Sequence, residues 1–136
     1  MTQANGADLS DYYQEIQQNG HLPTQAVAQR WNEGVLRTLG LNLDRKVKKQ
    51  LGNALPEELA YYLKRTFWLL HFRDPDKSSE EFLKEVARRS GSSDPDFARI
   101  PTEAVIHEIK ACAGEDVSDA VADSLAPELS ELWQQA

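Results

Sequence analysis

The sequence predicts an all-helical domain, and three observations lead to this fold class. Apolar residues recur at steps of three and four along almost the whole chain, as they do on the buried face of an amphipathic helix. The sustained alternation of apolar and polar residues that marks half-buried strands is absent. The chain has 136 residues, of which 40% are hydrophobic and 27% charged. It therefore fits one globular domain, residues 1–136, with about eight helices.

The first three helices are predicted from their start and stop signals. We expect one helix at residues 8–18. A second should follow Thr24, which suits the N-cap position, and should stop at Gly40. Asp44 is expected to cap a short third helix. The residues predicted to face inward from these three helices are Leu9, Tyr12, Tyr13, Ile16, Val27, Trp31, Val35, Leu39, Val47 and Leu51.

A long, largely buried central helix is predicted at residues 55–72. Pro56 and the two glutamates after it mark its start, and Asp74-Pro75 marks its stop. The predicted buried side carries Leu59, Tyr62, Leu63, Thr66, Phe67, Leu69 and Leu70. Another side carries a mixed aromatic and basic stripe, formed by Tyr61, Lys64, Arg65, Trp68 and Phe72. The stripe is either core with long neighbours that reach solvent or an exposed anchor for a partner, and the sequence leaves both interpretations open.

The second half of the chain is predicted to hold four further helices. Ser78-x-x-Glu81 is the pattern of a capping box, and the small, polar residues 90–96 are expected to form a loop. Pro101 should interrupt or begin a helix, so we place the next one at residues 102–113, with Gly114 as its end. A short helix follows, and Pro127 opens the last one. The predicted inward residues are Phe82, Leu83, Val86, Val105, Ile106, Ile109, Cys112, Val117, Val121, Leu129, Leu132 and Trp133.

The two halves of the chain align without a gap when the sequence is shifted by seventy residues. Apolar positions then coincide at helical spacing in three separate segments. The matched pairs include Tyr12 with Phe82, Ile16 with Val86, Val35 with Val105, Leu39 with Ile109, Val47 with Val117, Leu51 with Val121 and Leu59 with Leu129. We predict two pseudo-symmetric helical repeats, residues 8–72 and 78–136, packed around the central helix. The alternative is that any two amphipathic stretches can be brought into such agreement by sliding.

This pattern resembles the prokaryotic domain of unknown function 2267 family. The resemblance covers nearly the whole chain and is carried by Tyr12, Ile16, Val35-Leu36-x-x-Leu39, Leu55-Pro56-x-x-Leu59, Phe82, Val86 and Ser124-Leu125-Ala126-Pro127-Glu128-Leu129-x-x-Leu132-Trp133. Leu125-Ala126-Pro127 departs from the expected Leu-Pro order, which shifts the proline by one position. The resemblance implies a small all-helical protein of two halves and a bacterial origin. It implies no activity and no catalytic residues.

Composition and charge narrow the classes of function. The formal charge of −7 makes this an acidic protein and argues against a surface built to grip nucleic acid or an anionic membrane. The longest apolar run, residues 67–70, is far shorter than the ~20 residues of a membrane-spanning helix. The first residues lack the basic and apolar segments of a secretory signal, and a single cysteine excludes an intrachain disulfide. These features together favour a cytoplasmic location.

No catalytic residue, metal site or cofactor is predicted. The three histidines, His21, His71 and His107, are far apart, and only Glu103 and His107 share a helix face, which is too few ligands for a metal. Cys112 is expected to be a small buried hydrophobe. The adjacent carboxylates after Pro56 suit the positive end of a helix better than acid–base catalysis. The sequence also has no nucleophile signature and no glycine-rich phosphate loop.

Charge is distributed unequally between the halves. Residues 1–74 hold nine Lys and Arg against eight Asp and Glu, a net charge of +1, whereas residues 75–136 hold six against fourteen, a net charge of −8. In the seventy-residue alignment, basic residues of one short helix match acidic residues of its counterpart. The matched pairs are Arg45 with Glu115, Lys46 with Asp116 and Lys49 with Asp119. If a pseudo-twofold axis relates the halves, these two surfaces should face apart within one chain.

The leading hypothesis is a non-enzymatic helical module that mediates protein contacts, either with an unknown protein or by self-association. Its predicted interaction surface consists of Arg45, Lys46, Lys49, Glu115, Asp116, Asp119, Tyr61, Arg65 and Trp68. One alternative is a small-molecule binder or enzyme with a pocket beside the central helix, lined by Tyr61, Tyr62, Trp68 and His71. A weaker alternative is nucleic-acid binding through the basic helix, residues 45–49.

Overall fold

The computed structural model describes residues 9–65, 76–92 and 94–136, and this part of the chain is helical with no strand. The helices are α1 (Leu9–Asn19), α2 (Gln25–Asn42), α3 (Arg45–Ala54), α4 (Glu57–Lys64), α5 (Ser79–Arg89), α6 (Pro95–Ala113), α7 (Glu115–Ser124) and α8 (Pro127–Gln135). The predicted all-helical fold class is confirmed. None of the described helices is long and apolar enough to cross a membrane.

The predicted helix starts at Thr24, Asp44 and Ser78 are confirmed. Each side chain accepts a hydrogen bond from a backbone N–H in the first turn of α2, α3 and α5 respectively, which satisfies a donor that the helix leaves unpaired. Ser78 and Glu81 form the predicted capping box, in which the Glu81 carboxylate accepts the backbone N–H of Ser78 at 3.0 Å. Helix α2 continues two residues beyond Gly40 and ends at Asn42.

Helix α6 begins earlier than predicted and contains Pro101 in its interior. The predicted loop at residues 90–96 is confirmed at residues 90–92 and 94 but is two residues shorter, since α6 begins at Pro95, and the predicted start at residue 102 is therefore wrong. The Asp94 carboxylate accepts the backbone N–H of Asp96 at 3.0 Å, and Pro95 occupies the first helical position, where a missing N–H costs nothing. Pro101 cannot donate to the carbonyl of Phe97, a loss that costs about 3 kcal/mol in a helix interior. Burial of the apolar face of α6, including Ala98, offsets this cost.

The predicted central helix is shorter in the described part of the chain. Leu55 ends α3, and α4 extends only from Glu57 to Lys64. Arg65, with a ψ angle of 69°, takes the backbone out of the helical conformation. Leu59 and Leu63 are buried as predicted. The predicted continuation through residues 66–72 lies outside the described residues.

The two halves of the chain interlock crosswise. Helix α1 of the first half packs on α6 of the second, and α5 of the second half packs on α2 of the first. Helices α2 and α6, the two longest, also pack against each other and so lie at the centre of the core. The largest fully buried side chains are Ile16, Val35, Leu36, Leu39, Leu43, Leu51, Leu59, Leu63, Val86, Ile106, Ile109 and Trp133. Both halves therefore contribute to one continuous core.

Two glycines let the backbone of α2 approach its neighbours. A Cβ at Gly34 would overlap the Ser90 hydroxyl at the end of α5, and a Cβ at Gly40 would overlap the backbone carbonyl oxygen of Leu63 in α4. Any larger residue at Gly40 must push against backbone, which cannot swing away as a side chain can. These contacts fix α5 against the middle of α2 and α4 against its C-terminal end.

We expect Gly40→Ala to lower the free energy of unfolding by about 2 kcal/mol, because the added methyl group would displace α4. Gly52→Ala is the matched control, since its added methyl group would meet only the flexible end of Lys64, with Cε at 2.9 Å. The better helix propensity of alanine should then leave that variant as stable as the parent or up to about 1 kcal/mol more stable. Urea unfolding followed by circular dichroism measures both changes. Equal stability of Gly40→Ala and the parent would contradict the close packing of α2 on α4.

Candidate functional site

The basic and acidic helices of the predicted interaction surface are neighbours. Helix α3 packs against α7, and the backbone N–H of Asp44 at the start of α3 donates to the hydroxyl of Ser124 at the end of α7, at 3.2 Å. The helices that carry the two surfaces therefore form one packed pair. Glu115 lies nine residues before Ser124, so it is about 14 Å along the axis of α7 from this contact.

All six charged residues predicted for this surface are exposed. Within residues 9–65, 76–92 and 94–136, none of them forms an ion pair or a side-chain hydrogen bond. Some charges elsewhere in this part of the chain are paired locally, as in Arg37 with Glu33 at 3.1 Å and Arg99 with Glu103 at 3.2 Å. Others, such as Arg30 and Lys84, are also exposed and form no ion pair within the described residues. The six residues are Arg45, Lys46, Lys49, Glu115, Asp116 and Asp119. Their charges are available to an outside partner.

Helix stability explains only the acidic members of this set. Glu115 and Asp116 lie in the first turn of α7, where the helix dipole favours negative charge. Arg45 and Lys46 lie in the first turn of α3, where the same dipole disfavours positive charge by about 0.3–1 kcal/mol each. Burial, together with the nearby Arg45, lowers the pKa of the half-buried Lys48. The basic charges at the start of α3 thus reduce the stability of the helix that carries them.

A polar groove lies beside the acidic helix, between α6, α7 and α8, and has a volume of about 430 Å³. Asp119 and Asp123 line it from α7. The Lys110 ammonium donates to the backbone carbonyls of Trp133 at 2.9 Å, Ala136 at 3.1 Å and Gln134 at 3.5 Å. It thereby caps the end of α8. The sequence analysis did not predict this groove, although the spacing of the two aspartates, four residues apart, places them on one helix face.

The aromatic and basic stripe is exposed where the structure describes it. Tyr61 is 58% exposed, and the Arg65 guanidinium lies 5.7 Å from the centroid of its ring, within cation–π range. The interpretation of the stripe as core is therefore wrong for Tyr61. Trp68 and Phe72 lie outside the described residues. The same holds for Trp68 and His71 of the predicted small-molecule pocket.

A buried chain of polar groups runs inward from α4 and was not predicted. The Tyr12 hydroxyl donates to the Asn32 side chain at 2.6 Å, and Asn32 donates to the Tyr13 hydroxyl at 3.3 Å. Tyr13 in turn donates to the half-buried Glu58 carboxylate at 3.0 Å. Glu58 is thus used as a hydrogen-bond acceptor by the core, whereas its neighbour Glu57 is exposed. Because each of these groups finds a partner inside, the chain of hydrogen bonds serves packing specificity.

The described residues offer little for catalysis. No group of three or more His, Cys, Asp or Glu in this part of the chain could hold a metal ion. Cys112 is exposed, so the prediction that it is buried is wrong. Partial desolvation and the nearby Glu108 raise the pKa of its thiol, which disfavours the reactive thiolate.

Comparison with known proteins assigns a family and no activity. A family model described as "Uncharacterized conserved protein (DUF2267)" matches residues 10–134. The resemblance predicted from the sequence is thereby confirmed. No curated protein matches the chain.

The buried tyrosines predict a loss of stability at alkaline pH. Burial raises the pKa of Tyr12 and Tyr13, with nearby Glu108 and Glu58 adding to the effect respectively. An unfolded tyrosine loses its phenol proton near pH 10, whereas the folded chain keeps both protons above that pH. The free energy of unfolding should therefore fall as pH rises beyond about 10. We expect Tyr13→Phe to be about 1 kcal/mol less stable at neutral pH, because two hydrogen bonds are lost. Its further loss of stability above pH 10 should be shallower than in the parent.

Chemical denaturation at a series of pH values tests this expectation, with the exposed Tyr61→Phe as the matched control. Parallel curves for Tyr13→Phe and the parent above pH 10 would show that the Tyr13 phenol titrates alike in the folded and unfolded chains.

Proposed function

The chain belongs to the DUF2267 family, and from its surface we propose that it is a non-enzymatic helical module that acts through protein contacts. The observation that carries this proposal is the set of exposed charges of opposite sign on α3 and α7 that form no ion pair within the described residues. The basic surface consists of Arg45, Lys46 and Lys49, and the acidic surface of Glu115, Asp116 and Asp119. We place the protein in the cytoplasm of a bacterium, where a chain with one free thiol is ordinary.

The proposal includes a duplication of one four-helix unit. The helix bounds support it, since α1, α2, α3 and α4 begin at residues 9, 25, 45 and 57, and α5, α6, α7 and α8 begin at residues 79, 95, 115 and 127. Each start in the second set is seventy residues after its counterpart. The packing supports it as well, because α1 on α6 and α5 on α2 are the same contact with the halves exchanged. A duplicated unit would present the two charged surfaces on helices of equivalent position and length.

Exposed charges of this kind contribute more to recognition of a partner than to the stability of the fold. Exposed ion pairs stabilise a fold by only about 0–1 kcal/mol. Complementary charges between two proteins accelerate encounter and exclude partners of the wrong sign. Charges that reduce the stability of their own helix, as Arg45 and Lys46 do, are therefore better accounted for by a partner than by the fold. Binding through these surfaces should weaken as salt increases, with screening over about 8 Å at physiological ionic strength.

Charge reversal at Lys46 should separate binding from stability. We expect Lys46→Glu to leave the unfolding temperature unchanged or slightly raised, because a negative charge suits the first turn of α3. The same change should abolish capture of the protein partner from a host extract at low salt. Asp116→Lys should abolish capture of a partner that binds the acidic surface. The matched control is Lys84→Glu, which reverses an exposed charge on α5 away from both surfaces.

The experiment uses the immobilised full chain at low and high salt, with nuclease added so that captured protein is separated from nucleic acid. Equal capture by the parent, Lys46→Glu and Asp116→Lys would contradict the proposal. Capture that disappears with nuclease would favour nucleic-acid binding through residues 45–49 instead.

A further inference from the structure

We infer that the groove between α6, α7 and α8 receives a lysine or arginine side chain from α3 of a second copy of this chain. The inference rests on the proposed function and names the partner. Four observations carry it. They are the charge of the groove, a buried hydroxyl beside it with no partner among the described residues, the way the corresponding place in the first half is filled, and the cations of α3, which form no ion pair with a described residue.

The charged side chains that line the groove have a net charge of −1. Asp119 and Asp123 are four residues apart on α7, so their Cβ atoms lie about 5–6 Å from each other. Both are exposed, and neither forms an ion pair or a side-chain hydrogen bond in the described part of the chain. The single cation of the groove, Lys110, has its three N–H groups directed to three carbonyls of α8 and the residue after it. Two carboxylates against one engaged ammonium leave room for one further positive charge.

A buried hydroxyl without a partner in the described part of the chain lies beside the groove. Ser118 lines the groove and is 8% exposed. Its side-chain oxygen forms no hydrogen bond in the described part of the chain. Its backbone carbonyl is already occupied, because the indole N–H of Trp133 donates to it at 3.0 Å. A buried hydroxyl left unpaired lowers the stability of the fold. A rotation of the Ser118 side chain toward the groove would let its oxygen accept a hydrogen bond from an ammonium or guanidinium group there.

The corresponding place in the first half shows what fits such a groove. Seventy residues earlier in the chain, the same three helix positions belong to α2, α3 and α4. There Lys48 brings its Cε within 3.5 Å of the position a Cβ would take at Gly40. Lys64 brings its Cε within 2.9 Å of the corresponding position at Gly52. Lysine stems of the chain itself thus occupy the space between these helices, whereas the equivalent space of the second half is open and lined by aspartates.

The basic surface of α3 is the matching source of cations. Arg45, Lys46 and Lys49 are exposed and have no ion pair within the described residues. The contact between Asp44 and Ser124 brings the start of α3 beside the end of α7 in the same chain, yet no ion pair forms there with Asp123. A second copy can supply the same cations from outside. Such a contact joins unlike surfaces, so each copy keeps one free surface of each sign and association can continue.

Self-association measured by sedimentation velocity tests this inference. The parent chain should associate as its concentration rises at low salt and should be monomeric at high salt. Ser118→Ala should weaken association about tenfold through the loss of one hydrogen bond to a charged group. The same change should leave the unfolding temperature equal or higher, since it removes an unpaired buried hydroxyl. Asp123→Asn should weaken association to a similar extent.

Ser90→Ala is the matched control, because Ser90 also carries a buried hydroxyl without a partner in the described part of the chain but lies at the end of α5. Its association should equal that of the parent. A second readout is the indole N–H resonance of Trp133, assigned by Trp133→Phe. It should move with concentration in the parent and should need about tenfold higher concentration to move as far in Ser118→Ala.

The outcomes distinguish the inference from the proposed function. If Lys46→Glu and Asp116→Lys reduce association while Ser118→Ala and Asp123→Asn do not, the charged surfaces act in binding and the groove does not, which overturns the inference alone. A parent chain that is monomeric at every concentration and salt, with an unmoved Trp133 resonance, also overturns it. That result would not contradict the proposed function, in which the charged surfaces bind a different protein. Weakening by Ser90→Ala equal to that by Ser118→Ala would overturn the role of the groove.

Discussion

The close approach of α2 to the backbones of α4 and α5 is the constraint on which the rest of the described fold depends. Gly34 and Gly40 lie six residues apart on α2, and each leaves space for an atom of a neighbouring helix that a side chain would displace. Because α5 belongs to the second half and α4 to the first, α2 packs closely on both halves. The contacts of α1 with α6 and of α3 with α7 also join the halves. The position of the charged surfaces is therefore set by this crosswise packing, in which the two glycines permit the closest approaches.

The α3–α7 pair carries a conflict between stability and recognition. Glu115 and Asp116 favour the helix they begin, whereas Arg45 and Lys46 oppose theirs. Uncharged or acidic residues in place of Arg45 and Lys46 would make α3 more stable. The cap does not require these cations, since the Asp44 side chain already accepts a backbone N–H of the first turn. By contrast, the buried polar side chains of Tyr12, Asn32 and Tyr13 are satisfied by one another. The surface that is not optimised for the fold is the one to which we assign binding.

The sequence predicted what local signals determine and missed what tertiary contacts determine. Thr24, Asp44 and Ser78 could be identified as caps because an N-cap bond involves only the next few residues. Pro101 misled the prediction of α6, because its local cost is visible in the sequence while the burial that offsets it is not. Cys112 was expected inside from its helical spacing, but the neighbouring helices do not cover it. The groove required three helices to be placed together, so Ser118 and Lys110 carried no signal of their own.

The central claim is that unlike surfaces on α3 and α7 bind each other between copies, and mixing two variants tests it most directly. Lys46→Glu with Lys49→Glu reverses the net charge of the basic surface, and Asp119→Asn with Asp123→Asn removes both carboxylates of the groove. We predict that each variant alone is monomeric at low salt and that an equimolar mixture forms a one-to-one complex that dissociates at high salt. Absence of a complex in the mixture, or association of either variant alone as strong as that of the parent chain, would contradict the account.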